Sequence, residues 1–554
     1  MTQKLSADMQ EIKIATDVLV IGGGYTGVKT ANEIAGLGYR AILVENGTEI
    51  GNQTAPWRML GLPEANQKGI AELIEKAGSN GQIEVMTQTR LVEAAGVTGD
   101  FSVGLQSADE TVTRKVGAIV VATDASVEPL NAAYDLELSD TVIAQSALDS
   151  MIASNADNLS GKTVAILAGF GQEGNPLVME RVFRSVLALQ QLDCTVYVYV
   201  NNLKVAEDCL ERLYLQSRDA GAIYFKLEKA PAVSQANGSL GISFQDPVMR
   251  QEMQLNPDVI VIEEGIQADQ LNVELAGLLR IDLGPQGFLQ TDNVHRFPVQ
   301  SNREGIFVTG FSREIKKLTG TFVDADNAAL EVKKLLGDGI ITAPVNKAVV
   351  DTGKCTICLT CYRCCPHGAI YWEGDKAVIS PVACQGCGIC ASECPMNAIQ
   401  IADFSDETVM DSILENLKDS SEEPQIVAFC CQNSALEAAQ MATDFNLPLP
   451  AGLKLIKVPC AGKVDIDFIM SAFAEGADGV LVLTCHDKNC KSERGNLYAG
   501  WRVSDAQRMM EEAGLEKERL RHATIASNMG SDFSAIVVDM SNKLGELGLS
   551  PIKK

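Results

Sequence analysis

The sequence predicts an α/β chain: two Rossmann-like wound units, a small metal-folded segment, and a second, smaller α/β domain. Three observations predict it. Apolar, β-branched runs (Asp17–Ile21, Ala41–Val44, Ala118–Val121, Val164–Leu167, Thr195–Val200, Asp258–Ile262) alternate with helix-period stretches such as Val28–Leu37 and Leu177–Leu189. That alternation is the mark of doubly wound parallel sheets. Glycine-rich loops follow two of those strands. Nine of the sixteen cysteines fall between Cys355 and Cys394, where periodicity is weak.

At 554 residues the chain is too long for one core. The expected boundaries are an N-terminal arm at 1–15, a wound α/β region at 16–348 with its second Rossmann-like part at about 150–285, and a cysteine-rich domain at 349–402. A polar, acidic linker at 403–424 and a C-terminal domain at 425–554 complete the division. No apolar run is long enough to cross a bilayer; Gly479–Leu483 and Val259–Ile262 are only strand-sized. Met1–Gln10 is polar and mixed in charge, unlike a signal or transit peptide, so a cytoplasmic location is expected. The net charge of −26 excludes a phosphate-binding, nucleic-acid role and serves solubility. Four scattered histidines (His295, His367, His486, His522) form no metal set, and no nucleophile–base pair stands out, so no catalytic residue is assigned.

The first strand runs into Gly22-Gly23-Gly24-Tyr25-Thr26-Gly27 and then a helix, matching GxGxxG. The glycines permit a tight turn and let the backbone approach a pyrophosphate seated on the helix N-terminus. The second strand ends in Glu45, where an acid bonds a ribose hydroxyl. Gly117–Ala125 (GAIVVATDA) and Gly305–Gly310 (GIFVTG) resemble two strands of the two-dinucleotide-domain flavoproteins. That resemblance implies FAD, with Ala122, Thr123 and Gly310 added to the contacts. Asp124 stands where that family has glycine, and Phe311 where it has aspartate.

A second GxGxxG loop, Gly169–Gly174, follows Val164–Leu167. In that family it would hold NAD(P)H. Here Glu173 puts a negative charge beside the pyrophosphate, and the next strand ends in Asn201-Asn202 rather than an acid or arginine. A retained fold without a pyridine nucleotide is the expectation.

Sixteen cysteines in a reducing compartment point to metal rather than disulfides. Cys355-x2-Cys358-x2-Cys361-x3-Cys365-Pro366 is followed by Cys384-x2-Cys387-x2-Cys390-x3-Cys394-Pro395, the bacterial two-cluster ferredoxin run stated twice. In that run three close thiolates wrap one cubane and the fourth crosses to the other. Cys355, Cys358, Cys361 and Cys394 are therefore expected on one [4Fe–4S] cluster, and Cys384, Cys387, Cys390 and Cys365 on the other. Cys364 is a spare. Zinc ribbons lack the third close cysteine and the CP ending.

Cys430-Cys431, Cys460 and Cys485-x4-Cys490 each follow or terminate an expected strand, at one end of a sheet. Five thiols and a nearby His486 suit a [2Fe–2S] cluster with one cysteine over; a set of buried unreactive cysteines and a zinc site are the two alternatives. Residues 425–533, with IVAFCC, IKVPCAGKVD, FIMSAFAEGADGVLVLTCHDKNC and ERGNLYAGWR, resemble the delta subunit of methyl-viologen-reducing hydrogenase. The resemblance implies a [2Fe–2S] cluster on Cys431 (or Cys430), Cys460, Cys485 and Cys490. Residues 16–402 resemble the A-subunit family of heterodisulfide reductase, FAD proteins with ferredoxin clusters. The fused order, with CCQNSALEAA and NNLKVA, is similar to the B-subunit family of the quinone-interacting membrane-bound oxidoreductase complex. The additional cysteine motifs of the archaeal A-subunit family are missing before Cys355.

Together these resemblances imply an oxidoreductase subunit relaying electrons among FAD, two [4Fe–4S] clusters and one [2Fe–2S] cluster. Implied partners are a paralogous flavin subunit, a membrane haem or quinone-reactive subunit, or a hydrogenase or formate dehydrogenase. Attachment to a membrane would then run through partners. Two alternatives stand beside this reading: a self-contained NAD(P)H-dependent flavo-iron-sulfur oxidoreductase, and a non-redox zinc scaffold.

Overall fold

The computed structural model describes residues 9–51, 64–108, 110–154, 158–236, 239–289, 293, 295–418 and 424–552. Its first sheet has five parallel strands in the order Ile306–Val308, Ala118–Val121, Val18–Ile21, Ala41–Val44 and Ile83–Met86. Both faces are covered, which is why all but the edge strand Ile83–Met86 are apolar throughout rather than alternating. Val18 and Val20 pack among residues of the helices Tyr25–Gly36 and Leu318–Leu336. Leu19 and Ile21 face the antiparallel strands Thr89–Val97, Asp100–Ser107 and Glu110–Val116, and the helix Leu271–Leu279.

The second wound unit is inserted within the first. The chain enters through Ala125–Pro129 and leaves through Glu264–Ala268, which pair antiparallel. Between them lies a parallel sheet ordered Val142–Ala144, Val259–Ile262, Thr163–Ala168, Thr195–Val200, Ile223–Lys226. The cysteine-rich domain has two short antiparallel pairs, Ala348–Val350 with Ile399–Ile401 and Ile370–Glu373 with Lys376–Ile379. The C-terminal sheet is parallel, in the order Leu453–Val458, Ile426–Cys431, Gly479–Thr484, Leu520–Thr524. Among the described residues no helix is long and apolar enough to cross a membrane.

Two expected connectors prove to be structural. Met9–Lys13, in the expected arm, pairs antiparallel with Ile340–Pro344; residues 1–8 lie outside the described residues. In the expected linker, Asp406–Leu417 forms a helix whose Val409 and Ile413 are buried in the C-terminal core. Ser405 caps it, accepting the Thr408 N–H at 3.1 Å. The segment's sequence carries one short amphipathic helix pattern, and its acidic composition hides the packing. Residues 419–423 lie outside the described residues.

Candidate functional site

The first glycine loop is shaped by close backbone approach. Gly22 has φ +108°, and a Cβ there would stand 2.4 Å from the Ala122 carbonyl oxygen. A Cβ on Gly27 would stand 1.8 Å from the Gly22 carbonyl oxygen, so helix and strand touch backbone to backbone. Glu45 braces the loop, accepting the Gly23 N–H on Oε2 and the Gly47 N–H on Oε1, each at 2.6 Å.

Gly22, Gly24, Glu45, Ala122 and Thr123 line a cavity of about 600 Å³. Gly23, Tyr25, Thr26, Gly27 and Gly310 build it from behind without appearing in its lining. Gly310 presses on Thr26, whose buried Oγ1 has no hydrogen-bond partner among the described residues. The N-terminus of the helix Tyr25–Gly36, opening from this loop onto the cleft, suits an anionic ligand such as the FAD pyrophosphate.

Asp124 lines the cavity, whereas Phe311 is buried in the core of the second unit. The acid that meets Gly310 is instead Asp324, which accepts the Gly310 N–H at 3.1 Å. Asp269, Leu271 and Glu274 also line the cavity. They were missed because they lie after the inserted unit, far along the chain from the loop.

The ferredoxin-type cysteines separate into two sets. Cys355, Cys358, Cys361 and Cys394 line one small cavity. Cys365, Cys384, Cys387 and Cys390 line another. Each fourth cysteine thus crosses to the other motif's cavity. The two loops share a backbone pattern: Ile357 and Leu359 in the first, Gly386 and Gly388 in the second, all have φ between 52° and 83°. Left-handed residues at matching places curl each loop around its cavity, at a steric cost for Ile357 and Leu359.

Backbone amides already point at sulfur, Gly386 N–H to Cys384 at 3.4 Å and Ala398 N–H to Cys394 at 3.3 Å. Among the described residues no three His, Cys, Asp or Glu side chains converge closely enough for a single ion. Cysteines that surround a void, without meeting at a point, suit a cubane better than zinc. Cys364 lines neither cavity. Its buried thiol donates to the Cys361 carbonyl at 3.4 Å, and burial pushes its pKa up to about 12.

The C-terminal cysteines meet at the carboxyl end of the sheet. Cys431 and Cys485 have sulfurs 3.9 Å apart. Cys460 and Cys490 lie beside this pair, both of their sulfurs facing Gly495, so four thiols cluster at one place. Hydrogen bonds from its neighbours hold Cys485 low, while the same bonds and burial hold Cys460 well above the ordinary thiol range. Four buried sulfurs could all ionise only beside a cation; without one, burial favours the neutral thiols.

Cys430 is on the opposite face of its strand, in the other core cluster, as the two-residue strand period requires. His486 turns away from the thiols to Thr524, at 2.9 Å, and to Met529.

The two iron-sulfur-type regions share an interface. A Cβ on Gly462 would stand 2.6 Å from Ile389 Cγ1, and Cys387 packs against the C-terminal core. Ser392 donates to the Lys463 carbonyl at 2.6 Å, and Arg502 pairs with Glu393 at 2.5 Å. The cavity of Cys365, Cys384, Cys387 and Cys390 is thus the one that abuts the four-thiol site.

Residues 426–548 match the family model described as methyl-viologen-reducing hydrogenase, delta subunit, and residues 347–411 match a 4Fe-4S dicluster domain. The iron-sulfur subunit of an F420-non-reducing hydrogenase of Methanococcus voltae is 35% identical over 132 residues, which are 24% of this chain and 92% of that protein. The A-type subunit of a CoB-CoM heterodisulfide reductase of Methanosarcina acetivorans is 29% identical over 356 residues, 64% of this chain. The chain spans less than half of that relative, 45% of its length. A second heterodisulfide reductase protein of the same type and organism is 21% identical over 93% of this chain and 80% of its own length. Among solved structures, thioredoxin reductase of Lactococcus lactis covers 58% of this chain and 99% of its own at 15% identity, with a TM-score of 0.41.

Proposed function

The chain belongs, through residues 426–548, to the methyl-viologen-reducing hydrogenase delta-subunit family, and from that premise we propose that it is an electron-relay subunit of a multi-subunit oxidoreductase. Its groups would be FAD, two [4Fe–4S] clusters and one [2Fe–2S] cluster. When bound, flavin exchanges electrons in pairs, and iron–sulfur centres pass them singly.

The observation that carries this reading is the sorting of twelve cysteines into three sets of four, two of them crossed between motifs. Glu45, Ala122 and Thr123 would hold the dinucleotide against the first glycine loop. The amides of Gly386 and Ala398 would bias sulfur toward its more electron-rich state. The glycine contact between Gly462 and Ile389 would keep the second and third centres close.

The complex is proposed to be of the heterodisulfide-reductase or quinone-interacting kind. Its other members would be a paralogous flavin subunit, a membrane haem or quinone-reactive subunit, or a hydrogenase or formate dehydrogenase. The chain itself would remain in the cytoplasm and reach a membrane only through such partners.

Isolation without oxygen tests the reading. The protein is expected to be brown, with about one FAD and roughly ten irons per chain. Eight irons in intact protein would remove the third cluster, and colourless, zinc-loaded protein would sink the relay altogether.

A further inference from the structure

The second glycine loop lies between the strand Thr163–Ala168 and the helix Pro176–Gln190, the place where such a fold seats a dinucleotide pyrophosphate. Its amides already have an anion. Glu263 follows the strand Val259–Ile262 and is 4% exposed. Its carboxylate accepts the backbone N–H groups of Gly169, of Phe170 at 3.0 Å and of Gly171 at 2.6 Å. The Tyr134 hydroxyl donates to the same carboxylate.

The outer side of the loop is closed as well. Leu130 and Ala133 cover Gly171, where an added Cβ would stand 3.0 Å from Leu130 Cδ1 and 3.1 Å from Ala133 Cβ. Gln172 accepts the Ile266 N–H at 3.0 Å and donates to the Ile266 carbonyl at 3.3 Å, lacing the loop to the exit strand. Glu173 plays no part in this closure; it pairs with Lys204 at 2.7 Å.

Three amides and a phenol aimed at one buried carboxylate form the donor set that phosphate oxygens use. We propose that Glu263 is a built-in substitute for pyrophosphate, and that it closes this loop to NAD(P)H and to other dinucleotides. An incoming dinucleotide would have to displace a carboxylate held by four hydrogen bonds, or set its own negative charge beside it. The second unit is then a structural insert, and no pyridine nucleotide reaches the flavin through it. This inference stands apart from the relay reading, because the loop holds none of the relay's groups.

Calorimetric titration of flavin-loaded protein with inorganic pyrophosphate and with ADP-ribose tests it. Wild type is expected to bind neither. Glu263→Ser, which frees the three amides, is expected to bind pyrophosphate at least tenfold more tightly. Glu263→Ala empties the same position without adding a hydroxyl. It is expected to gain affinity in the same direction, and it is the variant to read if the serine protein does not fold. Wild type that binds either probe as tightly as the variants overturns the proposal, and so does a folded variant with no gain.

Discussion

Gly495 stands directly against Cys460: a Cβ on Gly495 would lie 2.2 Å from the Cys460 sulfur and 3.6 Å from that of Cys490. The helix Gly495–Glu512 therefore begins with bare backbone on the four-thiol site. Its positive end faces sulfurs that must carry negative charge to hold metal. The same glycine lies against Gly462, which in turn touches Ile389, so a chain of small residues joins the thiol cluster to the neighbouring cysteine cavity.

Gly495→Ala should therefore remove the third cluster selectively. The methyl group cannot fit without moving Cys460, and rigid backbone leaves it little room to yield. Iron is expected to fall from roughly ten to roughly eight per chain with FAD unchanged. Iron analysis and electron paramagnetic resonance of the reduced variant read this directly. Retention of a full two-iron signal would show that Cys460 is not a ligand.

Lys463, 1% exposed at its side chain, pairs with Asp406 at 2.5 Å and ties the 406–417 helix to the C-terminal domain. Burial alone would raise the Asp406 pKa, but the hydrogen bonds from Lys463 and Gln400 outweigh it and leave it lowered. A lowered folded pKa means that the pair stabilises above the unfolded carboxylate value, about 3.9. That stabilisation is lost as pH falls through the folded value. Asp406→Asn should cost about 3 kcal/mol at pH 7, because it strands a buried lysine. The gap from wild type should narrow as Asp406 itself protonates in acid. Urea denaturation at pH 7 and at a pH below the folded Asp406 value compares the two; an equal cost at both would mean that the charge of Asp406 contributes nothing.

Local patterns made the strands, the first glycine loop and the ferredoxin run legible in the sequence, because each depends on residues within a few positions of one another. Cys365 and Cys394 are assigned across motifs from spacing, and each lines the cavity of the other motif's cysteines. Long-range placement was not legible. Nothing near Glu263 marks it as a partner of amides 92 to 94 residues earlier. Glu173, the acid inside the loop, drew attention instead. The strand period separates Cys430 from Cys431, but only packing shows which face carries the other thiols.

Gly27→Val should give folded protein that keeps its iron and lacks flavin. Any Cβ at Gly27 meets the Gly22 carbonyl oxygen at 1.8 Å, so the first helical turn must lift away from the strand. That lift moves the loop amides out of line with the pyrophosphate position. Flavin absorbance relative to iron content measures the effect, and a variant with a full complement of FAD would move the flavin to another site.

The crossed ligation gives the sharpest test of the cysteine-rich domain. Cys365 follows the first motif in sequence but lines the cavity of Cys384, Cys387 and Cys390. Cys365→Ser should therefore damage the cluster of the second motif and spare its sequence neighbour. Cys394→Ser should do the reverse, since Cys394 lines the cavity of Cys355, Cys358 and Cys361. Cys364→Ser should leave both signals intact, because that thiol is turned onto the Cys361 carbonyl and lines neither cavity. Its nearness to Cys365 lets a small backbone shift bring it in as a replacement, so the double variant separates loss from rescue. Electron paramagnetic resonance of each reduced variant shows which signal disappears or converts to a three-iron form. Loss of a cluster in Cys364→Ser, with both intact in Cys365→Ser, would shift the fourth ligand of the first motif by one residue.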